Sequence, residues 1–321
     1  MRVGIVGAGM AGLAAARRLK SQGAEPVLFE KSKGLGGRLA TRRVGEYVFD
    51  TGATTLSPKG SELARVMLHE LDREDLVEIE RPVYLHSYGR VEPGDPKKNA
   101  NPRYTYRRGV NTLAKLLAQS LDVRREVRIG EMTEDDSGVT LDGERFDAAI
   151  VTAPVPQTEA LFNGGRALPP TEYRPCLSVL LAFDQPFDAP FYALLDPEQD
   201  GPLTWLSVET LKSPGRAPEG HTAVVAQMSR RYSRNRYEAD DEAIIRDTCV
   251  DVARLMGKEF STPVTTDLKR WKYSQPDSTA SFERANPEGA RLVIASDGLA
   301  GGRLELAFDI GLRAADRVLA L

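Results

Sequence analysis

The sequence predicts an α/β protein. A parallel sheet with helices on its faces is assembled from both ends of the chain, and an α+β domain on a mixed or antiparallel sheet is interleaved between them. Three observations carry this prediction. The first thirty residues read as strand, glycine turn, helix and strand; the last thirty read as strand and helix; and between about Tyr173 and Tyr273 the pattern shifts to strand-like runs around one long amphipathic helix. A chain of 321 residues is long enough for about two domains. With 41% hydrophobic and 28% charged residues it can bury a core without disulfides or metal. A net charge of -3 gives no reason to expect a nucleic-acid partner. His69, His86 and His221 are too scattered for a metal site, and Cys176 and Cys249 lack redox spacing, so no metal and two reduced thiols are expected. No apolar run is long enough to span a membrane and no signal peptide is expected ahead of the first strand, so the expected location is the cytoplasm.

Val3 to Val6 is a short β-branched strand that runs into Gly7-Ala8-Gly9-Met10-Ala11-Gly12. Leu13 to Leu19 continues as a helix, Gly23 ends it, and Pro26 to Phe29 forms a second strand closed by Glu30. This is a Rossmann-type βαβ unit. In it Gly7 makes the turn, Gly9 lets a diphosphate approach the backbone, and Gly12 lets helix and strand pack closely. The helix start at Met10 and Ala11 aims free N–H groups at the diphosphate, and Glu30 is placed to accept from a ribose diol. A lone glycine motif is weak, but strand, helix, strand and acid all fall here in the required order.

The following segment selects FAD over NAD. Lys31 leads into a glycine loop, Gly34-Leu35-Gly36-Gly37, and Arg38, which add backbone donors and a cation beside the diphosphate. Tyr47 to Asp50 reads as a strand ending in the small-residue turn Gly52-Ala53-Thr54, against which a flat ring system can lie. At the far end, Arg291 to Ala295 is a strand, Asp297 is placed for a ribityl chain, and the helix beginning near Leu306 and Ala307 points its dipole at the pyrimidine end of a flavin. There is no second glycine motif for a separate NAD domain.

In the order Glu30, Gly36-Gly37-Arg38, Asp50-x-Gly52-Ala53, Asp297 and a last helix, the chain resembles the glutathione-reductase-type FAD proteins of the flavin amine oxidase superfamily. Arg42-Arg43 after Gly37-Arg38, Trp205 with Pro214-Gly215-Arg216, and Trp271-x-Tyr273-Ser274-x-Pro276 resemble its renalase-like branch. Asp309 stands where that branch usually has Ser, and Ala226-Gln227-Met228-Ser229 departs from its pattern. The resemblance implies an FAD-binding domain of residues 1–60, 104–165 and 287–321 and a substrate domain of 61–103 and 166–286. It implies an adenine contact through the backbone of Val127, and noncovalent FAD, because no cysteine matches the tether of some relatives.

Within the second domain, Trp271 and Tyr273 alternate with Lys272 on a strand, so the aromatics share one face. They are either a core stripe or the wall of a substrate pocket. Lys272 is the lysine to compare with the one that holds a water near the flavin in the wider group, although alternation turns it the other way. Trp205 and Tyr192 are further wall candidates, and Arg42 and Arg43 are either a surface pair or a flavin or anion contact. The resemblance implies an enzyme, an oxidase that takes a hydride from a small molecule, a dihydronicotinamide or an amine, with molecular oxygen as acceptor. A carotenoid- or porphyrinogen-type desaturase with another acceptor, and a flavin-binding protein without turnover, remain as alternatives. Acid or heat should release FAD from the yellow protein into the supernatant; FMN, or colour that stays with the precipitate, would contradict the noncovalent FAD reading.

Overall fold

The structure, a computed structural model, describes residues 1–87, 89–162 and 167–321. β1 (Arg2–Val6), α1 (Met10–Ser21) and β2 (Glu25–Glu30) form the expected unit. They belong to a five-stranded parallel sheet in the order Leu292–Ile294, Ala148–Val151, β1, β2, Asp122–Arg125. The C-terminal helix Leu304–Leu319 packs along α1. The two meet so closely that a Cβ on Gly311 would lie 2.1 Å from the Ala11 carbonyl oxygen. The first and last elements therefore share one layer, so neither end of the chain can complete this sheet alone.

Some boundaries differ from the sequence reading. Leu63, Val66 and Met67, placed by sequence in the second domain, join the core of the first, as do Phe282 and Ala285. The boundary between 165 and 166 lies outside the described residues. Asn111, read as a helix cap, is the first helical residue of Asn111–Leu117, and Val110 takes the cap position. Among the described residues no helix is long and apolar enough to cross a membrane.

The second sheet has seven strands, in the order Thr265–Pro276, Tyr173–Phe183, Thr222–Met228, Leu203–Val208, Ala193–Leu195, Val83–Ser87, Arg90–Pro93. Pairing is antiparallel except between Ala193–Leu195 and Val83–Ser87. Its outer face, with Leu177, Val179, Leu181 and Val224, packs on the helix Asp241–Met256, which Asp240 caps. Its inner face, with Leu180, Ala182, Ala223 and Val225, packs on Tyr47 and Phe49 of a hairpin from the first half of the chain. The period-2 alternation of these strands separates the two faces.

That hairpin ends in Asp50, which enters a fully buried cluster of four charges. Lys212 Nζ donates to Asp50 Oδ2 (2.9 Å), Glu209 Oε1 (2.8 Å) and the Thr54 carbonyl (2.7 Å). Arg216 reaches Asp50 Oδ2 (3.0 Å), Glu209 Oε2 (3.1 Å), Thr105 Oγ1 and the Tyr106 carbonyl. None of the four side chains is exposed to solvent. Two carboxylates face two cations, and Thr41 Oγ1, the Val110 N–H and Ser207 Oγ fill remaining acceptor sites. Burial alone would raise the Asp50 carboxyl, but Lys212 and Arg216 outweigh it and hold it at about 2 against 3.8 unfolded.

Removing one member strands a buried charge, which costs roughly 3–5 kcal/mol. Lys212→Met should lose about that much stability in urea melts. Because the folded Asp50 is the stronger acid, its contribution is complete above about pH 4 and fades as pH falls toward 2. Asp50→Asn should flatten that part of the stability–pH curve, and an unchanged acid limb would contradict the assignment.

Candidate functional site

The Gly7 N–H donates to the Phe29 carbonyl (2.8 Å), and Gly7 has φ of +103°, a conformation glycine tolerates. A Cβ on Gly12 would lie 2.0 Å from the Gly7 carbonyl oxygen, so that position must be glycine. At Gly9 a Cβ would meet no protein atom within 4 Å. Protein packing does not explain glycine there; keeping space beside the backbone does. Gly9 also leads into α1, whose N-terminus carries no side-chain cap, with Met10 and Ala11 buried beneath it. The second glycine loop lies alongside: the Gly36 N–H donates to the Ala8 carbonyl (2.9 Å), and a Cβ on Gly37 would lie 3.5 Å from the Gly9 Cα. Two runs of bare backbone thus form a cradle that fits a dinucleotide diphosphate.

At the adenosine end, Glu30 is buried and its carboxylate accepts from the Ala8 N–H (3.0 Å) and the Ser32 N–H (2.8 Å), while Lys31 beside it is exposed. These two bonds fix the carboxylate and leave lone pairs for a ribose. The Val127 N–H is spent on the Glu30 carbonyl (3.0 Å), so an adenine contact at Val127 falls to its carbonyl or side chain.

At the other end, Arg38 Nη1 pairs with Asp297 Oδ2 (2.6 Å) and also donates to the carbonyls of Ser274 (3.1 Å) and Tyr273 (3.3 Å). Sequence reasoning assigned Arg38 to the diphosphate and Asp297 to the ribityl chain; the structure joins them to each other. Tyr173 Oη donates to Asp297 Oδ1 (2.9 Å), and burial together with the Asp297 charge pushes its phenol up to about 12, so it stays a donor. The helix Leu304–Leu319 has no side-chain cap. The Ala307 N–H already donates to the Arg303 carbonyl (3.0 Å), which leaves Leu306, of the two expected residues, in the uncapped first turn.

Between these ends lies the turn Gly52-Ala53-Thr54. A Cβ on Gly52 would lie 1.9 Å from the Arg38 carbonyl oxygen, which accepts from the Ala53 N–H (2.9 Å). The second sheet holds the turn from above: Trp271 Nε1 donates to the Thr51 carbonyl (2.8 Å), Gln227 Nε2 to the Gly52 carbonyl (2.7 Å), and Lys212 to Thr54. Tyr273 packs edge-on against Tyr173, with ring centroids 5.5 Å apart.

Lys272 is exposed, its ammonium 5.8 Å from the centre of the Tyr273 ring. The lysine on the inner face is Lys269, whose ammonium lies 4.9 Å from the centre of the Trp271 ring. Sequence reasoning missed it, although it stands two residues before Trp271 and alternation alone would have found it. Ser178 and Gln227 were also missed, because only cross-strand register places them on the same face as Lys269, Ser178 on the next strand and Gln227 on the one beyond. Trp205 pairs in register with Gln227 and packs edge-on against the buried Tyr192. Arg42 forms an ion pair with Asp267 (2.7 Å), and Arg43 donates to the Arg108 carbonyl. Cys176 stands opposite Trp271, and burial pushes its thiol up to about 11, so it stays protonated. No cluster among the described residues is suited to a metal ion.

Comparisons with known proteins agree with this geometry. The profile of an NAD(P)-binding Rossmann-like domain matches residues 5–71, and that of flavin containing amine oxidoreductase matches residues 97–319. A 4,4'-diapophytoene desaturase of Staphylococcus aureus (strain bovine RF122 / ET3-1) is 33% identical over 86 residues, 27% of this chain and 17% of the desaturase. Cyclohexylamine oxidase from Brevibacterium oxydans IH-35A superposes with a TM-score of 0.77 over 100% of this chain and 99% of its own, at 14% identity. Reduced UDP-galactopyranose mutase superposes with 0.77 over 99% and 95%, at 15% identity. Those two likenesses establish the fold alone, and one of them is to a mutase, so the fold does not name the reaction. The amine oxidoreductase profile covers more than half of the chain: this protein belongs to the flavin-containing amine oxidoreductase family.

Proposed function

We propose that the protein is a renalase-like oxidase that takes a hydride from a small organic substrate, a dihydronicotinamide first and an amine as the broader class. The observation that carries this reading is the pair of braced aromatic side chains over the Gly52 turn, Trp271 tied to the Thr51 carbonyl and Tyr273 packed on Tyr173. In this reading the diphosphate of noncovalent FAD crosses Gly7 to Gly12 and Gly36 to Arg38, and the ring system rests on Gly52 to Thr54. The flavin supplies a two-electron acceptor, which oxygen regenerates with release of hydrogen peroxide.

The protein's own contribution is placement. Trp271 and Tyr273 wall one side of the space beside the turn and orient a flat substrate there, and the inner face of the sheet excludes water. The reading assigns no side chain as general base, because hydride transfer from a dihydronicotinamide requires orientation before proton removal. A desaturase reading gains no support from the inner face of the sheet, where Lys269 and Gln227 are polar where a polyene would need apolar side chains. The domain division is proposed with one change: residues 61–70 go with the FAD-binding half, whose core they join.

Trp271→Ala should leave FAD bound but slow anaerobic flavin reduction at subsaturating substrate. A misplacement of about 1 Å can cost on the order of 100-fold in rate. Dihydronicotinamide nucleotides and primary amines form the substrate panel. If Trp271 is only a core residue, the variant loses about 3–5 kcal/mol of stability and the folded fraction is reduced at the wild-type rate. That outcome in parallel thermal melts and stopped-flow traces would remove the pocket-wall role.

A further inference from the structure

We infer that Lys269 makes a cationic subsite over the flavin site, one that selects substrates carrying an anionic group, a phosphate or carboxylate, and disfavours ammonium substrates. The inference rests on the proposed placement of the flavin against the Gly52 turn.

Cross-strand register locates the lysine. Lys269 pairs with Ser178, and Ser178 pairs with Gln227. Residues directly opposite on neighbouring strands put their side chains on the same face. Gln227 reaches down to the Gly52 carbonyl, so the face of this row is the one that covers the turn. Trp271, two residues beyond Lys269, reaches the Thr51 carbonyl from the same face.

The charge on that face is not balanced. Asp267, two residues before Lys269, is taken by Arg42 (2.7 Å). Among the described residues no carboxylate lies within ion-pair distance of Lys269. Its ammonium lies over the Trp271 ring, a contact that uses the charge and spends none of the three N–H donors. Lys212, on the helical turn Glu209–Lys212 beneath the same sheet, shows the contrast: its three donors meet two carboxylates and a carbonyl. A half-buried ammonium with open donors, on the edge strand of the sheet, is suited to an anionic oxygen. An incoming ammonium would meet like charge there. In the dihydronicotinamide reading, stacking on Trp271 places the ring and Lys269 receives the nucleotide phosphate.

The test uses FAD-loaded wild type, Lys269→Gln and Lys269→Arg. Benzoate and its neutral isostere benzamide are titrated against the flavin absorbance spectrum. Dihydronicotinamide mononucleotide and the phosphate-free riboside are compared in anaerobic reduction. Wild type should prefer benzoate. Lys269→Gln should weaken benzoate by about tenfold, the loss of one charge-assisted hydrogen bond, and leave benzamide unchanged. Lys269→Arg should keep most of the preference, and the mononucleotide should lose its advantage over the riboside only in Lys269→Gln. Equal binding of benzoate and benzamide to wild type, or an equal loss of both in Lys269→Gln, overturns the subsite. If the benzoate preference depends on Lys269 but neither dihydronicotinamide reduces the flavin, the subsite stands and the dihydronicotinamide reading falls.

Discussion

The buried quartet of Asp50, Glu209, Lys212 and Arg216 is the constraint on which the rest of the site depends. Desolvating four charges is costly, and a buried ion pair often does no better for stability than apolar residues of the same volume. What it supplies here is position. Asp50 ends the hairpin that leads into the Gly52 turn, and Glu209 and Lys212 begin just where a strand of the upper sheet ends at Val208. Because Lys212 also holds the Thr54 carbonyl, the two halves of the chain cannot slide without stranding a charge. The contact between turn and sheet is therefore held by a network with little freedom to adjust.

The cradle for the nucleotide is built by a different means. It uses backbone, with Gly12 and Gly311 removing side chains so that α1 can approach both the glycine turn and the last helix. Arg38 then links three distant stretches, because its guanidinium meets Asp297 and the carbonyls of Tyr273 and Ser274. Cofactor loop, C-terminal segment and aromatic strand are held by one side chain, so a ligand that displaced Arg38 from Asp297 would be felt at Tyr273. Electrostatics within the site are uneven in a useful way. The quartet is neutral within itself, whereas among the described residues Lys269 has no carboxylate to offset its charge on the face that covers the turn.

Much of this was legible in the sequence, for identifiable reasons. The glycine spacing, the acid at Glu30 and the apolar rhythm of Arg303 to Leu321 are local signals, and the structure builds the elements they predict. Asn111 misled because it is a frequent capping residue, whereas the helix takes its start from Val110. Lys212 and Glu209 were not singled out because charged residues at i and i+3 on a short helical turn usually mark a solvated face. Their burial follows from the hairpin carrying Asp50, more than 150 residues away, and no local pattern encodes that. Ser178 and Gln227 were hidden for the same reason, since register between strands is a tertiary property. Lys272 drew attention by standing between two aromatics, but the strand period turns it outward and brings Lys269 inward.

The central claim is that the flavin ring lies beside the Gly52 turn, at the rim of the sheet face bearing Lys269 and Trp271. A crystal structure of the FAD-loaded protein measures this directly. The account predicts density for the diphosphate across Gly9 and Gly37, and for the ring system alongside Gly52 to Thr54 next to Trp271, with the Asp50–Lys212 contact intact. A ring bound elsewhere, or one that reaches the turn only after the quartet has separated, would contradict it.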